Sequence, residues 1–309
     1  MKNNIGIFLG EPKSINYEIF FKSIKFLKKS NKNFFIVGSF QLLKKNYKIK
    51  LSDFHQINTS NLNNIKKINF IDVDFIKKQN SFLHIKKSFD VIYYLLKQNK
   101  IRKFINLPID KSQFTKSSYP GVTEYLGKQF KIINTSMLIY NEKFSVLPIS
   151  THIPISAICK SVSFNKLNSA CKNINYFYSR ILKRKFKIGV LGLNPHNGDN
   201  GYIGNEEKLI NKWIIKLKKK YPISGPISPD TSFIYQKKNK IDVLIGWYHD
   251  QIITTFKTLF GFNAINITLG LPFLRVSPDH GIAKDIVGKN LANNDSFIKG
   301  LKFLFKYSV

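Results

Sequence analysis

The chain has 309 residues, of which 43% are hydrophobic and 14% aromatic, enough apolar material for one large α/β unit or two medium domains. Its formal charge of +32 raises the question of a nucleic-acid partner, but only four of the 50 cations are arginines, the lysines are spread along the whole chain, and no zinc-finger, homeodomain or RNP pattern occurs; a solvated cationic surface is the better reading. No run approaches the ~18 apolar residues of a membrane span, the start MKNNIGIFLGEP breaks too early for a signal peptide, and Cys159 and Cys171 form neither a disulfide framework nor a CxxC site, so a reduced, cytoplasmic setting is expected.

In chain order, strand-like NIGIFLG (4–10) precedes an amphipathic helix pattern over 16–30, and strand-like NFFIVGSF (33–40) follows. The segment 58–67, NTSNLNNIKK, has no periodicity and is expected as a surface loop. A helix pattern at 84–100 leads into a strand pattern at 101–109. The second half repeats the rhythm. Strand patterns at 143–150, 187–193, 242–248 and 263–270 alternate with helix patterns from about Ser163 to Leu182, at 205–220 and at 250–260, before a final helix near 295–307. This is the βαβ alternation of a largely parallel sheet. No internal repeat, low-complexity linker or obvious boundary is present.

Several of these strand patterns end in polar groups. His152 follows SVLPIST, His196 follows VLGLNP, His249 follows VLIGWY, and Arg275 and His280 follow NITLGLPF. In open α/β sheets ligands bind beyond the carboxyl ends of the strands, so residues far apart in sequence can converge there. A lone histidine is usually structural, but the chain has only six, and three at strand ends point to one divalent-metal site with a position left for substrate or water. NPHNGDNGYIGNEE (194–207) has glycines at 198, 201 and 204 and is not GxGxxG, so it reads as a tight loop presenting His196, with Glu206 and Glu207 suiting a helix N-terminus. Lys257 stands eight residues beyond His249, ~80° around a helix, and spacing alone leaves it unassigned. Arg275 is one of few arginines and suggests bidentate recognition of a carboxylate or phosphate.

NPHNGDNGYIGNEE, GPISPDTSF, YHDQIITTFK and NITLGLPFLRVSPDHGIA together resemble, in order and over essentially the whole chain, the 4-hydroxythreonine-4-phosphate dehydrogenase family of pyridoxal phosphate biosynthesis. The resemblance implies a single catalytic unit, 1–309, of two α/β/α subdomains like those of isocitrate and isopropylmalate dehydrogenases, with the active site in the cleft between them. Approximate bounds are 1–123 plus 262–309 for the cofactor side and 124–261 for the metal and dimer side. It implies His152, His196 and His249 as ligands of one divalent ion (Zn, Mg or Co), and Thr123, Lys257, Asn266 and Arg275 as substrate-binding. It also implies a homodimer whose active site draws on both subunits, with His249 serving the partner's site. DHGIAKDIVGKNLAN (279–293) is similar to the adenosine-binding loop of isopropylmalate dehydrogenases, which implies NAD or NADP and makes His280, Gly281, Ala283, Asp285 and Asn293 cofactor candidates.

The implied chemistry is oxidation of a secondary alcohol by NAD(P) followed by loss of CO2 from the β-keto acid. Two segments depart from the family pattern. Val122 stands in GVTE where the family has a histidine, and GEPKSINYE (10–18) has Ser14 and Asn16 in place of glycines. Val122 keeps open a related dehydrogenase of threonate or erythronate 4-phosphate. A basic nucleic-acid-binding protein on an enzyme scaffold is the alternative of another class, and it predicts loss of the three histidines, which are all present.

Overall fold

The computed structural model describes residues 4–62, 64–75, 81–110, 112 and 121–309. The first strands and helices are β1 (Asn4–Phe8), α1 (Asn16–Lys29), β2 (Asn33–Gly38), α2 (Phe40–Asn46), β3 (His55–Ile57), β4 (Ile68–Asp72), α3 (Ser81–Lys97) and β5 (Lys103–Asn106). There follow α4 (Val122–Gln129), β6 (Ser136–Tyr140), β7 (Ser145–Pro148), α5 (Phe164–Tyr176), β8 (Ile188–Leu191), α6 (Glu206–Lys218) and β9 (Ile223–Ile227). The chain ends with α7 (Ser232–Asn239), β10 (Val243–Gly246), α8 (His249–Phe260), β11 (Ile265–Leu269), β12 (Leu274–Pro278) and α9 (Asp295–Lys306). No helix among the described residues is long and apolar enough to cross a membrane.

Contacts divide the chain into two compact units, Met1–Val122 with Pro272–Val309, and Thr123–Leu271. The strand carrying Asn266 therefore belongs to the second unit and the strand carrying Arg275 to the first.

In the first unit the strands run β3-β4-β2-β1-β5-β12 and every pair is parallel. All five residues of β1 are buried, as a parallel strand covered on both faces requires. Helix α1 forms because Tyr17, Phe20, Ile24 and Leu27 recur at helical spacing on one buried face, while Lys28 and Lys29 in its last turn complement the macrodipole. The loop between β1 and α1 shows how Ser14 and Asn16 replace glycine. Gly10 takes φ +70°, and a Cβ there would strike the carbonyls of Leu107 and Pro108 at 2.6 and 2.5 Å. Ser14 Oγ donates to the Glu11 carbonyl at 2.6 Å and accepts from Asn16 N–H at 3.2 Å, and Asn16 Nδ2 donates to the Pro108 carbonyl at 2.7 Å. Side-chain bonds thus hold the loop in shape.

In the second unit the order is β11-β6-β7-β10-β8-β9. Strands β7, β10, β8 and β9 are parallel neighbours, whereas β6 is antiparallel to both β7 and β11. The βαβ reading missed β6 because a turn of four residues, Asn141–Phe144, joins it to β7 and there is no crossover helix to announce it. It also passed over β9 and α7, where Gly225 and Pro226 interrupt the apolar pattern and α7 buries only Ser232. The long helix expected to Leu182 is α-helical to Tyr176 and continues as a π-turn, Phe177–Ile181. Segment 58–67 has neither helix nor strand among its described residues; residue 63 lies outside them. Helix α8 packs Ile252, Ile253 and Phe256 into a core with Phe144, whose ring meets Phe256 at 5.5 Å and Phe260 at 5.3 Å. Each such buried side chain contributes about 1.5–3 kcal/mol.

Lys103, at the start of β5, is 4% exposed, and its ammonium donates to the carbonyls of Leu304 (2.5 Å) and Tyr307 (3.1 Å) at the end of α9. Burial, and secondarily the charge of Lys32, lowers its pKa from 10.5 to about 8. Between these values the folded state binds fewer protons than the unfolded one, so this residue makes stability rise with pH there. Chemical denaturation of the protein and of Lys103→Met at several pH values is expected to show their stability difference moving in favour of lysine between pH 8 and 10.5, by up to ~3 kcal/mol; a difference flat with pH would contradict it.

Candidate active site

The three histidines stand just past the carboxyl ends of adjacent parallel strands, His152 after β7, His249 after β10 and His196 after β8. One residue ties these ends together. Trp247, 1% exposed, follows β10; its indole N–H donates to the Leu191 carbonyl at 2.7 Å, at the end of β8. Its carbonyl accepts from the backbone N–H of Ser150 at 3.1 Å and from the Ser150 hydroxyl at 2.6 Å, two residues before His152. Its own N–H donates to Gln251 Oε1 at 2.7 Å, and Gln251 Nε2 donates to the Gly192 carbonyl at 2.8 Å.

His249 is the first residue of α8. Its Nδ1 lies 2.7 Å from Asp250 Oδ1. With a carboxylate there, Nδ1 carries the proton and Nε2 is left as the ligand or acceptor nitrogen. The rings of His152 and His249 are 6.1 Å apart, centre to centre. His152 is exposed, and the preceding Thr151 donates through Oγ1 to Glu124 Oε1 at 3.1 Å.

His196 sits in a loop of unusual backbone. Residues His196, Asn197, Gly198, Asp199 and Asn200 have φ of 49°, 56°, 73°, 42° and 56°, a left-handed turn that costs non-glycine residues roughly 1–2 kcal/mol each. The buried carboxylate of Glu207 holds it. Oε1 accepts from the N–H groups of Leu193 (2.8 Å) and Asn194 (2.7 Å), and Oε2 from Asn194 Nδ2 (3.0 Å). A Cβ on Gly198 would meet Glu207 Oε2 at 2.6 Å and the Gly204 carbonyl at 2.5 Å, and one on Gly204 would meet Asn194 Cγ at 2.7 Å, which accounts for two of the loop glycines. Asn194 Nδ2 also donates to Glu206, lowering that carboxyl's pKa. His196 Nδ1 faces Asp230 Oδ2 at 3.6 Å. The Asp230 carboxyl is held below its usual pKa, first by the Ser228 hydroxyl, with Thr231 N–H and His196 adding to it against desolvation.

Among the described residues no group of three His, Cys, Asp or Glu side chains is arranged to hold a metal ion. His152 and His249 come together, and His196 is directed to Asp230. Thr123, at the start of α4, has its hydroxyl 3.3 Å from that of Thr268, which shares a face of β11 with Asn266. The Asn266 Oδ1 is buried without a hydrogen-bond partner. Lys257 places its ammonium 5.6 Å from the centre of the Phe262 ring. Val122 is the first residue of α4 and half-buried.

In the first unit Arg275 lies inside β12, where the sequence reading placed it after a strand; it is 3% exposed and its Nε donates to Asn106 Oδ1 at 2.7 Å. In the expected cofactor loop, His280 Nδ1 is 2.9 Å from the Gly281 carbonyl, Ala283 takes φ +42°, Asp285 is exposed and Asn293 caps Asp295 through Oδ1 at 2.7 Å. The Ile282 carbonyl accepts from Ile15 N–H at 3.3 Å, docking this loop on the one that Ser14 and Asn16 shape.

The sequence reading missed Trp247, Gln251, Glu207, Glu124, Asp230 and Asp250. The dipeptide His249-Asp250 is the one signal that was available, since a carboxylate beside an imidazole at a helix start can fix its tautomer.

Residues 30–304 match the family described as pyridoxal phosphate biosynthetic protein PdxA. A 4-hydroxythreonine-4-phosphate dehydrogenase of Sulfurihydrogenibium sp. is 36% identical over 96% of each chain. A D-threonate 4-phosphate dehydrogenase of Pectobacterium atrosepticum is 28% identical, again over 96% of each. The crystal structure of a 4-hydroxythreonine-4-phosphate dehydrogenase from Klebsiella pneumoniae superposes with a TM-score of 0.80 at 25% identity, covering 99% of this chain and 98% of that one.

Replacing Trp247 with phenylalanine leaves the Leu191 carbonyl without its donor and opens a small void. Urea unfolding is expected to show a loss of about 2–4 kcal/mol. A loss under about 0.5 kcal/mol, ordinary for a surface change, would contradict the role given to the indole.

Proposed function

The chain belongs to the PdxA family of pyridoxal phosphate biosynthetic proteins and is an oxidoreductase, and on that premise we propose that it oxidises 4-phosphooxy-L-threonine with NAD or NADP and a divalent cation. The observation that carries the proposal is the pair His152 and His249, 6.1 Å apart at the ends of neighbouring strands, with Nδ1 of His249 held by Asp250. Two neighbouring imidazoles, one with its Nε2 left free for a ligand by the Asp250 contact, are a donor set suited to a divalent ion.

His152 and His249 would hold the cation, which would supply Lewis-acid polarisation at the substrate's C3 oxygen; the C3 hydride would pass to NAD(P) and the hydroxyl proton to solvent, giving 2-amino-3-oxo-4-phosphooxybutanoate, whose loss of CO2 and uptake of one proton from solvent would give 3-amino-2-oxopropyl phosphate. The chain's own residues bind and orient. Thr123 and Asn266 offer a hydroxyl and an amide on the face shared with Thr268, and the partnerless Asn266 Oδ1 fits an acceptor awaiting a ligand donor. Lys257 and Arg275 are the cations for the phosphate and carboxylate. His280, Gly281, Ala283, Asp285 and Asn293 form the cofactor loop of the proposal.

Two histidines from one chain do not complete the metal site. We assign the third, His196, to a second copy, in place of the expectation that His249 crosses to the partner. Its loop carries Tyr202, 94% exposed, followed by exposed Ile203 and Leu209, and Ile155 and Ile234 are exposed close in sequence to His152 and Asp230. Apolar side chains of this size around a polar site suit a homodimer interface.

The second reading is oxidation of threonate 4-phosphate. Two observations keep it: Val122, which cannot donate a hydrogen bond, and the 28% identical relative named for that activity.

Assays of NAD(P) reduction with each substrate, with and without Zn, Mg or Co, separate the readings. Metal-dependent turnover of 4-phosphooxy-L-threonine is expected, and no turnover of it under any metal condition would overturn the proposal. His249→Ala is expected to abolish metal-dependent activity while size-exclusion chromatography still reports a folded dimer; full activity in that variant would remove His249 from the site.

A further inference from the structure

The second unit contains a cavity of about 300 Å3, bounded by the start of α4, the neighbouring ends of β6 and β7, and α5. Its lining holds one carboxylate, Glu124, one ammonium-bearing side chain, Lys166, and the hydroxyls of Thr123, Thr135, Ser136 and Thr151 among others. Glu124 has its two oxygens in different situations. Oε1 accepts from Thr151 at 3.1 Å, whereas Oε2 is buried with no hydrogen-bond partner. Leaving a buried acceptor unmatched costs about 1–3 kcal/mol, more for a charged group, and is tolerated where a ligand brings the donor. The surroundings place that ligand. Thr151 directly precedes His152 and Thr123 directly precedes Glu124, so the cavity adjoins residues given to the metal and to the substrate.

We propose that this cavity receives the α-amino-acid end of the substrate, with Glu124 accepting its ammonium group. The inference rests on the dehydrogenase reading above and deepens it, because it names the residue that separates an amino substrate from the otherwise similar hydroxy acid. An ammonium has three donors and a positive charge, and an ionised carboxylate only accepts. A hydroxyl in the same place offers one donor and no charge, so it gains less from Glu124. Lys166 at the exposed rim is the cation in the lining, and it adds to Lys257 and Arg275 a further positive charge for the carboxylate that both substrates carry.

Glu124→Gln tests this. The amide keeps the Thr151 bond through its carbonyl oxygen and turns the partnerless oxygen into an NH2 group, which opposes an ammonium. With the full-length enzyme, NAD(P) and divalent metal, the variant is expected to raise KM for 4-phosphooxy-L-threonine roughly 10- to 100-fold and to leave that for threonate 4-phosphate within about twofold. Lys166→Met is expected to raise both. If Glu124→Gln raises both KM values alike, or neither, Glu124 does not read the ammonium and the proposal falls. Competitive inhibition constants for the two esters give the same ratio even if the amino ester is not turned over, so failure of the dehydrogenase reading and failure of this inference are told apart. Should the amide variant not fold, Glu124→Asp, which withdraws the carboxylate by one methylene, must shift the ratio in the same direction; an unchanged ratio there also overturns the proposal.

Discussion

The hydrogen bond from the Trp247 indole to the Leu191 carbonyl joins the end of β10 to the end of β8 where both chains leave the sheet. Strand ends are where a parallel sheet stops specifying the backbone, because the ladder no longer pairs each N–H and C=O. Trp247 supplies what the ladder cannot. Its carbonyl fastens Ser150, and through Gln251 its N–H reaches Gly192. The loops bearing His152, His196 and His249 therefore depart from one hydrogen-bonded knot. A buried indole is well suited to this, since it fills volume and brings one directed donor.

Beyond the knot the constraint changes character. The 196–200 turn is left-handed at four non-glycine residues, and the buried Glu207 carboxylate holds it there by taking two backbone N–H groups. Strain of this kind persists only where the surroundings over-determine the backbone, and it concentrates at sites that need a fixed side-chain direction. Here the direction given is that of His196, which a carboxylate faces just as one faces His249. Asp250, at 2.7 Å, does for the His249 imidazole what Trp247 does for the loops, while Asp230 stands 3.6 Å from His196 as a nearby charge.

Much of the layout was legible in the sequence because apolar periodicity reports burial directly. The parallel strands β1, β2, β8 and β10 and the helices α1, α6 and α8 follow from it, and the histidines were visible because they interrupt apolar runs. What stayed hidden depends on contacts between distant residues. Nothing in the local pattern announces that Trp247 bonds Leu191, 56 residues away, or that Glu207 is buried under a loop and not simply placed at a helix start. Strand β6 was lost because a tight turn leaves no helix to mark it. Arg275 looked like a residue past a strand end because Pro272 breaks the pattern just before β12 begins. Val122 stands out against the family pattern, whereas Glu124 two residues on does not, since an acid in the first turn of a helix is ordinary and only the fold shows that one of its oxygens is buried without a partner.

The proposed metal site is completed by two copies of the chain, with His152 and His249 from one and His196 from the other. Subunit complementation tests it most directly. His196→Ala and His249→Ala are purified separately, unfolded or dissociated together, and reassembled as a mixture. The account predicts that each variant alone lacks metal-dependent dehydrogenase activity, and that the mixture recovers roughly a quarter of the wild-type rate, the share of intact sites when two kinds of chain pair at random in a two-fold dimer. A mixture as inactive as its components would contradict it, because His196 and His249 would then have to serve each site from the same chain.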